Sequence, residues 1–153
     1  MKKIALFIFI VLLSCNDKNN QKPNIVFIMS DDHTSQAWGI YGGILSDFVK
    51  NDGIKRLANN GTVLNNLFCT NSICVPSRAS ILTGKYSHIN GVYNLPDALS
   101  PDSLNIAKIL KEDGYQTSII GKWHLKKEPS GFDYYKVLPG QGLYHDPYFK
   151  TVE

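Results

Sequence analysis

Cysteine is scarce in this sequence, three among 153 residues, which excludes a disulfide-dense mini-scaffold. Charge of one sign is lacking too: 16 basic side chains face 13 acidic ones. Two of the basic ones, Lys2 and Lys3, precede the apolar run Ile4 to Leu13. Removing residues 1–14 leaves 14 basic against 13 acidic groups, so no basic stripe remains to mark nucleic acid as a partner. Long hydrophobic runs are also missing. The ten residues from Ile4 to Leu13 fall well short of the ~20 that cross a bilayer as a helix. No internal repeat or low-complexity tract is visible.

What is present at the start is a secretory signal: two lysines, an uncharged apolar core, then Ser14 and Cys15. Leu12, Leu13, Ser14 and Cys15 resemble the bacterial lipoprotein cleavage box. That resemblance implies an acylated Cys15 as the mature N-terminus and a lipoprotein of the bacterial cell envelope, periplasmic or surface-exposed, anchored to the membrane through Cys15. An ordinary signal with an incidental cysteine is the alternative. Residues 15–22 are polar and without apolar periodicity, so they read as a tether. The remaining chain suffices for one hydrophobic core.

PNIVFIMSDD carries a short continuous apolar run, Ile25 to Met29, ending at two acids. Such a run suits a strand buried on both faces of a parallel sheet, with Asp31 and Asp32 at its C-terminal end, where open α/β sheets place their ligands. A short helix is expected from Asn51 or Asp52, stopped by Gly61, followed by a strand over Thr62 to Phe68. In CVPSRASILTG, Pro76 suits a first helical turn and Gly84 the end, so Cys74 lies at or just before a helix N-terminus. Leu104, Ala107, Ile109 and Leu110 predict another helix, with Ser100 as its cap and Gly114 at its end. Tyr115 to Ile120 then reads as a strand running into GKWHL, and the aromatic, Gly- and Pro-rich segment after Gly131 as a substrate-facing loop. This order gives an α/β domain.

Three polar sets fall where strands end or helices begin. Asp31 and Asp32 would repel at a buried strand end unless a hard cation such as Ca²⁺ or Mg²⁺ joined them, though a solvated turn is the commoner use of such a pair. Lys122 and His124 are two apart, and in an extended segment both face one side. Cys74 at a helix start feels the helix dipole, with Arg78 one turn on. A cysteine phosphatase loop sets its arginine six residues after the cysteine, whereas here the gap is four. A zinc site lacks a second cysteine pair at suitable spacing. A Cys69–Cys74 disulfide competes with every sharper reading of Cys74.

CVPSRASILTG is similar to the maturation signature of the type I sulfatases at its cysteine, proline, serine, arginine, leucine, threonine and glycine positions. PNIVFIMSDD resembles their first strand with its metal-binding acids, and GYQTSIIGKWHL their lysine and histidine segment, in the expected order. The resemblance implies an α/β, alkaline-phosphatase-like fold with a mostly parallel sheet flanked by helices. It further implies that a maturation enzyme oxidises Cys74 to formylglycine. An oxygen of the hydrated aldehyde attacks the sulfur of a sulfate ester, and the second hydroxyl drives the collapse that expels sulfate. Asp31 and Asp32 then hold Ca²⁺, rather than Mg²⁺, together with the oxygen at position 74. Arg78 and Lys122 orient the diol, and His124 hydrogen-bonds it. A Cys69–Cys74 disulfide excludes this route.

GFDYYKVLPGQGLYHDPYF resembles the matching segment of sulfatases acting on 6-O-sulfated N-acetylglucosamine, which implies a sulfated carbohydrate as substrate. His33 and His145 stay outside the expected site. Sulfatases of this type are several times longer, so residues 23–153 are expected to be the N-terminal part of a truncated catalytic domain, inactive alone. The alternatives are a phosphonate or phosphate monoester hydrolase of the same superfamily, and an inactive truncated lipoprotein.

Overall fold

The computed structural model describes residues 21–152. The signal segment, Cys15 and most of the tether lie outside them. Among the described residues no helix is long and apolar enough to cross a membrane. The chain divides into two compact units, one ending at Val63 and the next beginning at Leu64.

In the first unit the expected strand over Ile25 to Met29 does not form. The segment carries no regular secondary structure, with Val26 80% and Ile28 84% exposed. A strand needs a ladder for its N–H and C=O groups, and no strand lies within this unit among the described residues. Two 3₁₀ turns follow, Ser35–Ala37 and Gly39–Tyr41, the first capped by the Thr34 hydroxyl accepting from the Gln36 N–H. Helix α1 runs from Asp52–Asn60 with Gly61 as its C-cap, as its stop signal requires.

The second unit opens on irregular backbone where Thr62 to Phe68 was expected to be a strand. Helix α2 is Cys74–Thr83. Its first turn is entered through Ile73, whose N–H is held by Asn71 Oδ1 at 3.1 Å. It ends at Gly84, left-handed at φ 64°, with the Gly84 N–H donating to Ser80 O at 2.8 Å. A four-residue turn of helix, α3 (Ser87–Asn90), follows. Helix α4 is Ile106–Glu112, later than expected, and its cap is Asn105 rather than Ser100. Asn105 Oδ1 accepts from the Lys108 N–H at 3.1 Å while its amide donates to Ser130 O at 3.0 Å. Ser100 instead caps the preceding turn, accepting from the Asp102 N–H.

Strands β1 (Ser118–Lys122) and β2 (Tyr134–Leu138) pair in parallel, and β3 (Lys150–Thr151) joins β2 antiparallel, giving the mixed order β1-β2-β3. The expected loop after Gly131 therefore contains a strand. Tyr135 and Val137 turn inward while Tyr134 and Lys136 stay exposed, the period-two alternation of a half-buried strand. Asp133 fastens the entry to both strands: its Oδ2 accepts from the Thr117 N–H at 2.9 Å, and its Oδ1 meets Lys111 Nζ at 2.5 Å. The Lys111 ammonium, then the Thr117 N–H, hold its carboxyl below the usual carboxylate range. Glu128 is held low in the same way, first by Lys150 and then by the Tyr135 hydroxyl.

The core lies between α2 and this sheet. Val75 and Ala79, one turn apart, are wholly buried, as are Val92 and Leu125, and Leu99, Trp123 and Val137 are buried beside them. Trp123 meets Phe132 edge-to-face, with ring centroids 6.0 Å apart. Removing methyl groups from such a face costs about 1–2 kcal/mol per side chain, so α2 is held to the sheet by its apolar side while Cys74 stays half-buried at its start.

Candidate functional site

Cys74 is the first residue of α2. The leading N–H groups of a helix have no intrahelical partners, and with the aligned peptide dipoles they favour negative charge. Pro76 sits in that turn without a donor to orphan. The fold also brings a cation to the sulfur. Lys122, the last residue of β1, donates from Nζ toward Cys74 Sγ at 3.8 Å. Arg78, one turn along α2, donates from Nη1 to the Lys122 carbonyl oxygen at 2.5 Å. The guanidinium thus ties the helix carrying the thiol to the strand end carrying the ammonium. Cys74, Arg78 and Lys122, separate in sequence, form one cluster in the second unit.

His124 belongs to the same unit, but the alternation argument does not place it. Its backbone is left-handed at φ 56°, so the extended run ends before it, and the imidazole is 8% exposed between buried Trp123 and Leu125. A non-glycine residue in that region costs roughly 1–3 kcal/mol and tends to occur at functional sites. Cys69 and Cys74 are both free thiols, so the competing disulfide is not formed.

Asp31 and Asp32 lie in the first unit, both exposed, with Asp32 left-handed at φ 52°. Two neighbouring carboxylates form a hard-oxygen donor set, chemically suited to Ca²⁺ or Mg²⁺ and unsuited to soft metals. His33 donates from Nδ1 to Thr34 O and packs on Trp38, a local role consistent with leaving it out of the site. His145 is exposed. Within the segment expected to be a substrate-facing loop, an open depression lined by Pro139, Gln141, Gly142, Leu143 and Tyr148 lies just beyond β2, and its individual lining residues were not singled out from the sequence. The glycines and aromatics of that stretch were its only sequence signal.

A thiol at a helix start, facing an ammonium whose strand end a guanidinium holds, sits in an α/β unit. The comparisons with known proteins give the family. The chain belongs to the sulfatase family, whose model matches residues 23–152. It is 44% identical over 144 residues to an N-acetylglucosamine-6-O-sulfatase of Bacteroides thetaiotaomicron, an alignment covering 90% of this chain and 25% of the relative. An ulvan-active sulfatase of Formosa agariphila is 35% identical, covering 97% of this chain and 32% of that one. Among solved structures, BT4656 in complex with its substrate D-glucosamine-2-N,6-O-disulfate superposes with a TM-score of 0.80 at 44% identity, covering 86% of this chain and 28% of the other. The chain thus spans a quarter to a third of the length of these curated relatives.

Proposed function

We propose that this chain supplies the nucleophile-bearing part of a sulfuric ester hydrolase acting on sulfated glycans, with 6-O-sulfated glucosamine units as the substrate class. The observation that carries the reading is the approach of Lys122 Nζ to Cys74 Sγ at the start of α2. Family membership and 44% identity to a relative named for 6-O-desulfation support it.

On this reading Cys74 is matured to formylglycine, whose hydrate supplies the attacking oxygen and, after transfer, the second hydroxyl that releases sulfate. Sγ then marks the place of that oxygen. Lys122 holds its charge against the oxygen and favours the anionic form needed for attack at sulfur. Arg78 fixes the carbonyl of Lys122 and so the start of that side chain. The N-terminal end of α2 adds a positive potential where transferred sulfate carries its charge. His124 is assigned a hydrogen bond to the diol, with a role in moving its proton. Asp31 and Asp32, with the oxygen at position 74, would hold a calcium ion whose charge neutralises the sulfate oxygens. Residues 23–153 are assigned to the N-terminal part of the catalytic domain, and Cys15 to a lipid anchor in the bacterial envelope.

The test is peptide mass spectrometry across Cys74 in protein produced with a formylglycine-generating enzyme, followed by sulfate release from N-acetylglucosamine 6-sulfate with residues 23–153 set in a full-length sulfatase chain, since they are expected to be inactive alone. A loss of about 18 Da at Cys74 and release of sulfate are expected. A retained thiol under those conditions, or phosphate ester cleavage without sulfate release, would overturn the reading.

A further inference from the structure

Parallel strands leave a sheet at the same edge, and the register here pairs Lys122 with Leu138. The loop that follows Leu138 therefore starts one strand spacing, about 4.8 Å, from the residue that faces Cys74. This loop is held at both ends. Beyond β2 it is closed by the Gly142 N–H donating to Pro139 O at 3.0 Å. Gly142, left-handed at φ 84°, lies so close to β2 that an added Cβ would stand 2.9 Å from Leu138 Cδ1. At the far end Lys150 pairs with Val137, and Lys136 Nζ lies 5.2 Å from the centroid of the Phe149 ring.

Between those fastenings lies the depression of about 180 Å³ lined by Pro139, Gln141, Gly142, Leu143 and Tyr148. It is smaller than the ~300–1,000 Å³ of pockets for drug-sized ligands, so its capacity is one ring. None of the lining side chains is charged. That lining is wrong for a sulfate group, whose counter-charges lie at Lys122 and Arg78, and right for a neutral ring. Tyr148, 65% exposed, offers an aromatic surface to the apolar C–H face of a pyranose. Gln141 offers amide donors and an acceptor for hydroxyl or acetamido groups.

We infer that the Pro139–Tyr148 loop is a sugar-ring subsite, binding an uncharged hexosamine ring of the glycan beside the sulfate-handling edge. The inference rests on the proposed sulfatase reading and adds a division of labour to it: cations at the end of β1 take the sulfate, and the neutral loop after β2 takes carbohydrate.

Saturation-transfer NMR with N-acetylglucosamine and N-acetylglucosamine 6-sulfate as probes tests it on wild-type chain, Tyr148→Ala, Tyr148→Phe and Gln141→Ala. Backbone spectra establish that each variant is folded. Wild type is expected to bind the unsulfated sugar, Tyr148→Phe to retain binding, and Tyr148→Ala to weaken it several-fold, up to about tenfold. Unchanged binding in folded Tyr148→Ala and Gln141→Ala overturns the subsite, as does failure of wild type to bind the unsulfated sugar. The sulfatase reading fails separately, on an unmodified Cys74 or on absent sulfate release. Should Tyr148→Ala not fold, Gln141→Ala and the wild-type comparison decide.

Discussion

Lys122 Nζ lies 3.8 Å from Cys74 Sγ, bridging 48 positions of sequence and joining the end of β1 to the start of α2. An ammonium at that distance acts on whatever atom replaces the sulfur. In a full-length sulfatase chain carrying these residues and matured at Cys74, Lys122→Ala is expected to lower kcat by roughly 10²–10³, the loss seen on removing one preorganised charge-stabilising donor. The mass change at Cys74 should persist. Steady-state rates per matured site check this, and an unaltered kcat would remove Lys122 from the mechanism.

Arg78 contributes through the backbone of Lys122. A lysine at position 78 keeps the charge but loses the planar fork that fits the Lys122 carbonyl. Arg78→Lys should cost about 1–3 kcal/mol of that charged hydrogen bond, seen as a lower kcat once maturation is complete. The extent of maturation is measured first, by mass, because Arg78 also lies in the stretch that resembles the maturation signature.

The metal assignment predicts that a calcium-selective chelator abolishes sulfate release and that added Ca²⁺ restores it better than Mg²⁺. Asp31→Asn and Asp32→Asn should each raise the Ca²⁺ concentration needed for half-maximal activity. Chelator-insensitive turnover would remove both carboxylates from the site.

The carboxyls of Asp133 and Glu128 set an acid limit on stability. Each is held low in the folded protein by a lysine, Lys111 and Lys150 respectively. A depressed carboxyl contributes stability that is fully present above its unfolded value, near pH 4, and is lost as pH falls through the folded value. Melting temperature should therefore drop below about pH 4. Asp133→Asn should lower it at neutral pH and flatten the acid dependence. Melts of wild type and variant across this range check the sign.

Gly131 stands in the left-handed region at φ 88°, and a Cβ there would come within 2.6 Å of Lys108 Cγ and 3.0 Å of the Lys108 nitrogen. Gly131→Ala combines backbone strain with a clash against the first turn of α4. It should destabilise by about 1–3 kcal/mol, read by denaturant unfolding.

Local chemistry that a few residues settle among themselves was legible in the sequence. Pro76 and Gly84 bound α2, Gly61 stops α1, and Cys74 lies at the helix start they imply. Asn105 displaced Ser100 as a cap because its amide also reaches Ser130, 25 residues away, a contact no local pattern encodes. The alternation in Tyr134–Leu138 was present but masked by flanking glycine and proline, and only pairing with β1 made it a strand. Ile25 to Met29 failed for the converse reason, since its apolar run is fit for a ladder that its own unit does not contain. In the site, Cys74, Arg78 and Lys122 were each identifiable, but the bond from Arg78 to the Lys122 carbonyl exists only once α2 packs on the sheet.

Val75 and Ala79 are wholly buried, and the ring of Pro76 is sealed among the largest fully buried side chains. An enzyme that recognises Pro76 must touch a surface that the finished protein no longer offers. If Cys74 is matured as proposed, packing of α2 acts as a deadline: chemistry at Cys74 has to be complete before the core around Val75 closes, and a chain that folds first keeps its thiol. On the proposed route, faster folding would lower the yield of active protein.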